Sequence, residues 1–145
     1  MNNRAVREFV VLVVAAGALC NASCNRNPHD LYPVSGNVTY NGSPAAGAAV
    51  FFYRRGADPA NDQTVMGIVQ GDGSFELVCG PFGKGAPPGD YDVGVEWKPV
   101  VGQSNGNPQR GPDRFGGRYS DPHRSTLHAV VAARANHLPP FELTD

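Results

Sequence analysis

Residues 90–97 read DYDVGVEW, and this stretch decides the fold. Four apolar or aromatic side chains, at Tyr91, Val93, Val95 and Trp97, alternate with acids and a glycine. Strict alternation with a period of two residues is typical of a β-strand that buries one face. We therefore predict a strand here, with the aromatic and valine side chains inward and Asp90, Asp92, Gly94 and Glu96 outward.

Upstream stretches show the same period and predict further strands. Val34, Gly36, Val38 and Tyr40 share one face of a first strand, and Asn41-Gly42 follows as a hairpin turn, because both residues tolerate positive φ. A second strand is predicted over residues 48–53. Residues 64–70 and 74–79 flank Gly-Asp-Gly and predict a tight hairpin whose buried face carries Phe75, Leu77 and Cys79.

The C-terminal third is less regular. Residues 125–135 (STLHAVVAARA) fit both helical and strand spacing, and periodicity alone leaves both readings open. The tail around Phe141 predicts an edge strand, where Pro139 and Pro140 near its start are tolerated.

Three segments are too rich in glycine, proline or polar residues for regular structure: residues 54–63, 80–89 and 98–121. The last is unusually long for a small domain, and loops of that length are mostly functional or mobile.

Length and composition indicate a single domain and give no sign of nucleic-acid binding. The chain has 145 residues, the length of one ordinary domain, with 18 glycines and 13 prolines, and 12 Lys+Arg balance 13 Asp+Glu. No block of like charge is present, so the sequence gives no sign of a basic surface that follows a phosphate backbone, and we expect no nucleic-acid partner.

The N-terminus has the pattern of an export signal. Arg4 and Arg7 precede an apolar run of eleven residues, 9–19, which is too short to span a membrane. Cys24 follows Ala22-Ser23, small residues typical of a bacterial lipoprotein signal, and is the expected lipid attachment site. Cys20 is the alternative, and cleavage after residues 16–18 (AGA) would give a soluble exported protein instead.

These patterns predict a lipoprotein signal peptide over residues 1–23, a polar tether over 24–31 and a β-domain over 32–145. The expected location is a bacterial membrane, on its periplasmic or outer surface, held by the N-terminal lipid. If Cys24 is lipidated, Cys79 has no partner for an intrachain disulfide and is expected to be a small apolar core residue at the end of a strand. If Cys20 is the lipid site, Cys24 is available to pair with Cys79.

The order of four motifs resembles a known family. YPVSGNVTYNGSPAAGAAVFF, GIVQGDGSFEL, GAPPGDYDVGV and RYSDPHRSTLHAVV follow one another across residues 32–131. This series is similar to bacterial lipoproteins with a carboxypeptidase regulatory-like, transthyretin-like domain. The resemblance implies an all-β, seven-stranded, prealbumin-like (Ig-like) antiparallel β-sandwich, favours a strand within 125–135, and carries over no catalytic residues or cofactor. Pro139-Pro140 departs from the family pattern, which puts the last strand in question.

Two groups of reactive residues partly match catalytic or metal-binding motifs. Residues 102–106 (GQSNG) match the G-x-S-x-G nucleophile elbow, but that motif needs a preceding strand and a following helix, and here prolines bracket a polar loop. Asp113, Asp121 and His123 are too scattered to predict a metal site.

We therefore expect a non-enzymatic, lipid-anchored envelope protein, an accessory module that binds a protein or carbohydrate. The alternatives are a purely structural envelope component or an exported metal-binding or hydrolytic enzyme. Arginine and tyrosine are favoured at interfaces. The candidate partner-binding residues, all in the loop 98–121, are Arg110, Arg114, Phe115, Arg118 and Tyr119.

Overall fold

The strand predicted from DYDVGVEW lies inside the larger of two packed β-sheets. A computed structural model describes residues 30–58, 62–122 and 124–145. The strands are β1 Val34–Tyr40, β2 Ser43–Pro44, β3 Ala49–Arg54, β4 Val65–Ile68, β5 Ser74–Glu76, β6 Val78–Cys79, β7 Gly83–Lys84, β8 Gly89–Glu96, β9 Val100–Ser104, β10 Asn107–Arg110, β11 His128–Val131, β12 Asn136–His137 and β13 Phe141–Leu143, with one 3-10 turn at Gly80–Phe82. The fold is an all-β sandwich, as predicted.

The larger sheet has the order β11-β8-β3-β4-β6-β7, and every pairing in it is antiparallel. Within β8, Tyr91, Val93 and Val95 are buried as the alternation predicts. Gly94 is buried too, on the opposite face, because residues 119–120 pass over it. A Cβ added at Gly94 would lie 3.2 Å from the carbonyl oxygen of Ser120, so the absence of a side chain is what lets this segment approach.

The smaller sheet is built on β1. One side of β1 pairs with β12 and then β13, and the other with β5 and then β2. Its pairings with β12 and β13 are parallel. The antiparallel sandwich is confirmed, and these two pairings at one edge are parallel because the chain reaches β12 and β13 from β11 in the other sheet and enters them in the direction of β1. The C-terminal edge strand itself is confirmed.

Aromatic rings join the two sheets. Phe52 of β3 has its ring centroid 6.3 Å from that of Phe75 in β5 and 6.4 Å from that of Phe141 in β13. Phe75 and Phe141 are stacked with their centroids 6.2 Å apart. Cys79, at the end of β6, is buried among the core residues, as predicted, and its thiol donates to Oε1 of Gln63 over 2.9 Å.

Two local predictions need correction, and one open alternative is decided. The residues 74–79 do not form one arm of a simple hairpin with 64–70: β5 pairs with β1 and β6 pairs with β4, so the chain changes sheet at Leu77. Residues 80–89 contain a 3-10 turn and β7. In 125–135 the strand is the correct reading, since β11 buries Ala129 and Val131 and exposes His128 and Val130.

Some of the seven predicted strands are each divided into two shorter strands in the structure. Residues 74–79 hold both β5 and β6, and the C-terminal segment holds both β12 and β13. The short β2 and β7 and the hairpin β9–β10 are additional. Leu31, the last residue of the predicted tether, packs against the core.

Candidate functional site

The predicted N-terminal features lie outside the described residues. The signal peptide over 1–23, both cysteines considered for lipid attachment and most of the tether fall within residues 1–29. In the part of the chain that is described, no helix is long and apolar enough to cross a membrane.

Residues 98–121, predicted to be an irregular loop, begin with a β-hairpin instead. Strands β9 and β10 pair with each other and with no other strand in the described ranges, and all nine of their residues are exposed. Asn105 and Gly106 form the turn with φ of 51° and 79°, the positive values that a two-residue turn between right-twisted strands requires. The Asn-Gly pair was therefore a usable signal in the sequence.

The hairpin continues a backbone ladder at the end of β8. Gly111 N–H donates to the carbonyl of Pro99 over 2.8 Å, and Arg114 N–H donates to that of Trp97 over 2.9 Å. The carboxylate of Asp113 accepts from the N–H groups of Trp97 and Gly117 at 2.8 and 2.9 Å. This carboxylate, considered above as a metal ligand, thus fixes the turn that follows the hairpin.

Phe115 does not belong to an exposed binding surface. Its side chain is only 8% exposed, and its ring centroid lies 5.2 Å from that of Tyr40, 5.8 Å from that of Trp97 and 5.5 Å from that of Tyr119. The prediction that it faces a partner is therefore wrong. The segment folds back over the end of the sandwich, so its aromatic ring joins the core.

Tyr119 is also held in place by the domain. Its hydroxyl donates to the carbonyl oxygen of Thr144 over 2.9 Å, and its own carbonyl accepts from Val95 N–H over 2.8 Å. It is half-buried, so only part of its ring remains available at the surface.

The three arginines predicted for the loop are exposed, and each is anchored. Arg114 places its guanidinium carbon 4.5 Å from the centre of the Trp97 ring, a cation–π contact. Arg110 donates to the carbonyl of Lys98 over 3.2 Å, and Arg118 donates to that of Thr144 over 3.1 Å. The structure therefore brings two of the five candidates, Arg110 and Arg114, to the base of the hairpin, with Arg118 near the C-terminal strand.

The GQSNG motif forms the tip of this hairpin. Ser104 ends β9 and the next two residues make the turn into β10, so the strand-to-helix geometry of a nucleophile elbow is not what surrounds this serine. His123 lies outside the described residues. Among those that are described, no three His, Cys, Asp or Glu side chains are close enough to hold a metal ion.

A charged cluster that the sequence analysis missed lies on the outer face of the larger sheet. Oδ1 of Asp92 is 2.6 Å from an η-nitrogen of Arg55 and 2.8 Å from Nδ1 of His128. The hydrogen bond from Arg55, with a smaller contribution from His128, lowers the pKa of the Asp92 carboxyl. These residues come from three different strands or strand ends, and only the pairing of β8 with β3 and β11 brings them together.

No protein family model matches the sequence. No curated protein matches it either. Among solved structures, a 9R-lipoxygenase from Cyanothece PCC8801 is similar at a TM-score of 0.43 and 13% identity, over 79% of this chain and 16% of the lipoxygenase.

Two DUF3823 family proteins are also similar. The one from Bacteroides ovatus ATCC 8483 has a TM-score of 0.38 and 11% identity over 75% of this chain and 43% of its own. The one from Parabacteroides merdae ATCC 43184 has a TM-score of 0.36 and 14% identity over 78% of this chain and 44% of its own. The chain spans less than half the length of each of these structures, and similarities this weak do not indicate what it binds.

Proposed function

We propose that this chain is a non-enzymatic, lipid-anchored protein of the bacterial envelope that binds a partner protein through the β9–β10 hairpin. The proposal takes its anchor from the lipoprotein-like N-terminus and from the resemblance to carboxypeptidase regulatory-like lipoproteins. The single structural observation that carries the binding role is the hairpin, whose exposed strands pair only with each other within the described chain.

The position of the hairpin suits this role. The chain enters the domain at Leu31, and Tyr32 bridges to Ala86, near the start of β8. The hairpin leaves from the other end of β8, where Trp97 meets Tyr40 with ring centroids 6.0 Å apart. Eight residues of strand separate the two ends, roughly 23 Å at the usual strand rise. A lipid at Cys24 would therefore connect to the end of the domain opposite the hairpin.

A protein fits this end of the domain better than a sugar does. Stacking of a sugar requires an open aromatic face, but one face of Trp97 is covered by the Arg114 guanidinium, and Tyr40 and Phe115 pack against the same ring. The hairpin instead offers exposed main chain, Val100 and Val101, with Arg110 at its base. Isolated two-stranded hairpins are only marginally stable in water, so a partner that buries this one also stabilises it.

The anchor is tested by the intact mass of the mature protein from membrane and soluble fractions, for wild type and Cys24→Ala. We expect a membrane-bound species that begins at Cys24 and carries added acyl chains, and its loss in the variant. A lipidated species that persists in Cys24→Ala would move the anchor to Cys20. An unlipidated species that begins near residue 19 would overturn the anchored part of the proposal.

The binding role is tested by cross-linking in intact cells, with wild type compared to a variant whose residues 100–110 are replaced by a short glycine-rich link. Thermal unfolding first establishes that both sandwiches fold. We expect a reproducible cross-linked protein that is lost with the shortened hairpin. Equal cross-linking in both proteins would move the partner to another surface and overturn the role of the hairpin, and no cross-linking in either would favour the purely structural envelope role.

A further inference from the structure

A second surface, separate from the hairpin, lies along the side of the sandwich. The last strand of the larger sheet, β11, and the segment that leads into the last strands of the smaller sheet border a groove of about 840 Å³. Leu127, Leu138 and Phe141 contribute apolar surface to it. The groove thus runs beside an edge of the sheet.

The main chain of β11 faces this groove with unused hydrogen-bonding groups. Val93 N–H donates to the carbonyl of Leu127 over 2.9 Å, and Ala129 and Val131 are paired with Tyr91 and Gly89. In an antiparallel ladder every second residue directs its N–H and C=O to the partner strand. His128 and Val130 therefore direct theirs outward, and no hydrogen bond within the described residues reaches these four groups.

Apart from its short length of four residues, β11 has no lysine, proline or bulge that would block strand pairing. Sheet edges are normally blocked by lysine, proline, a bulge or a covering segment. The strand β11 reads HAVV, without lysine or proline, its four pairs with β8 are in unbroken register, and Val130 is 66% exposed. The facing segment is different, since Pro139 and Pro140 precede β13.

The charged residues around the groove favour an acidic partner. Arg134 contributes an exposed guanidinium, and His137 lies nearby with its Nδ1 2.7 Å from Oγ of Ser35. None of the residues that line the groove is an aspartate or a glutamate, and no salt bridge among the described residues engages Arg134. A partner with a carboxylate beside Arg134 would supply the negative charge that the groove lacks.

We propose that the β11 edge is a strand-addition site for an extended, acidic segment of another protein. The added strand hydrogen-bonds to the main chain of His128 and Val130, places alternate apolar side chains against the groove, and pairs a carboxylate with Arg134. Strand addition obtains affinity from main-chain hydrogen bonds and specificity from alternate side chains.

The test is selection from a random 12-residue peptide display library on the full chain, followed by binding of the enriched peptides to variants. We expect peptides with alternating apolar residues and at least one Asp or Glu. Their affinity should fall at least tenfold in Val130→Pro, which removes an outward N–H that the fold does not use, and in Arg134→Glu. Val130→Lys serves as a second blocking variant if the proline variant does not fold.

The hairpin offers a matched control. Val101 is 64% exposed, close to the exposure of Val130, and Val101→Lys should leave peptide binding within twofold of wild type while it perturbs the hairpin. In the complex, amide exchange at His128 and Val130 should slow.

Three results would overturn the proposal: no enriched peptide, peptides that bind the Val130 and Arg134 variants as tightly as wild type, or a dimer of the free chain that Val130→Lys dissociates, which would make a second copy the occupant. Because the Val130 and Arg134 variants leave residues 100–110 unchanged, each of these results leaves the hairpin proposal standing.

Discussion

The loss of stability in Phe115→Ala shows whether the segment around Phe115 is packed into the domain or displayed for a partner. Replacement by alanine removes a ring that is 8% exposed and is packed against Tyr40, Trp97 and Tyr119. Burial of a phenylalanine takes on the order of 150 Å² out of water, which at about 25 cal/mol per Å² corresponds to roughly 4 kcal/mol. Measured Phe→Ala substitutions in cores cost about 3–5 kcal/mol.

We therefore expect Phe115→Ala to lower the free energy of unfolding by about 4 kcal/mol in urea, and Tm by about 15 °C at the usual sensitivity of domains of this size. The matched control is Phe82→Ala, at a phenylalanine that is 43% exposed, which should cost no more than about 1 kcal/mol. If the two variants lost the same stability, or if Phe115→Ala lost less than about 1 kcal/mol, the assignment of Phe115 to the core would be refuted.

Three further predictions concern stability and reactivity. Asp92→Asn should destabilise the protein near neutral pH, and its difference from wild type should shrink in urea titrations as the pH falls below about 4, because the hydrogen bond from Arg55 lowers the pKa of the folded carboxyl and that stabilisation is lost on protonation. With the other two cysteines replaced by serine, Cys79 should react with a chromogenic disulfide reagent only after denaturation, because the thiol is buried and burial raises its pKa. Gly36→Ala should cost about 1–3 kcal/mol in urea unfolding, since the new Cβ would lie 2.7 Å from Cζ of the buried Phe75.

Each of these has an outcome that contradicts it. A wild type and Asp92→Asn that differ by the same amount at pH 3 and pH 7 would show that the carboxylate is not the stabilising species. Rapid labelling of the native thiol would mean that the strand carrying Cys79 opens readily. Gly71→Ala is the control for Gly36→Ala, since a Cβ there meets nothing within 4 Å, and equal losses would remove the packing explanation.

The sequence was sufficient to predict features that depend on the residues of a single strand. The alternation around Val93 was sufficient for β8, and the same period of two residues was sufficient to predict strands at β1 and β3. Whether a segment forms a strand can be predicted from the alternation of apolar and polar residues within that segment, without knowledge of the rest of the chain.

What the sequence did not reveal depends on residues that are distant in the chain. Phe115 lies in a polar, proline-flanked stretch without periodicity, and only the return of that stretch over the end of the sandwich buries it. The contact between Asp92 and His128 requires the register of β8 with β11. The change of sheet at Leu77 is set by the pairing of β5 with β1. The one local signal that was overlooked is Asn105-Gly106, a hairpin turn obscured by the polar residues around it.

The two proposed surfaces differ in how binding would act on the domain. The hairpin is joined to the sandwich through its base, where Gly111 and Arg114 hydrogen-bond to Pro99 and Trp97 just after β8, so a partner there would order a local element. The β11 edge belongs to the larger sheet itself, and a strand added to it extends the ladder that passes through β8 to β3. A ligand that binds the native state and not the unfolded one stabilises the native state by an amount set by its concentration and its Kd. A saturating partner at either surface should therefore raise the unfolding temperature of the domain, and amide exchange distinguishes the two sites: a peptide at β11 should protect the amides of His128 and Val130, whereas a partner at the hairpin should protect those of β9 and β10.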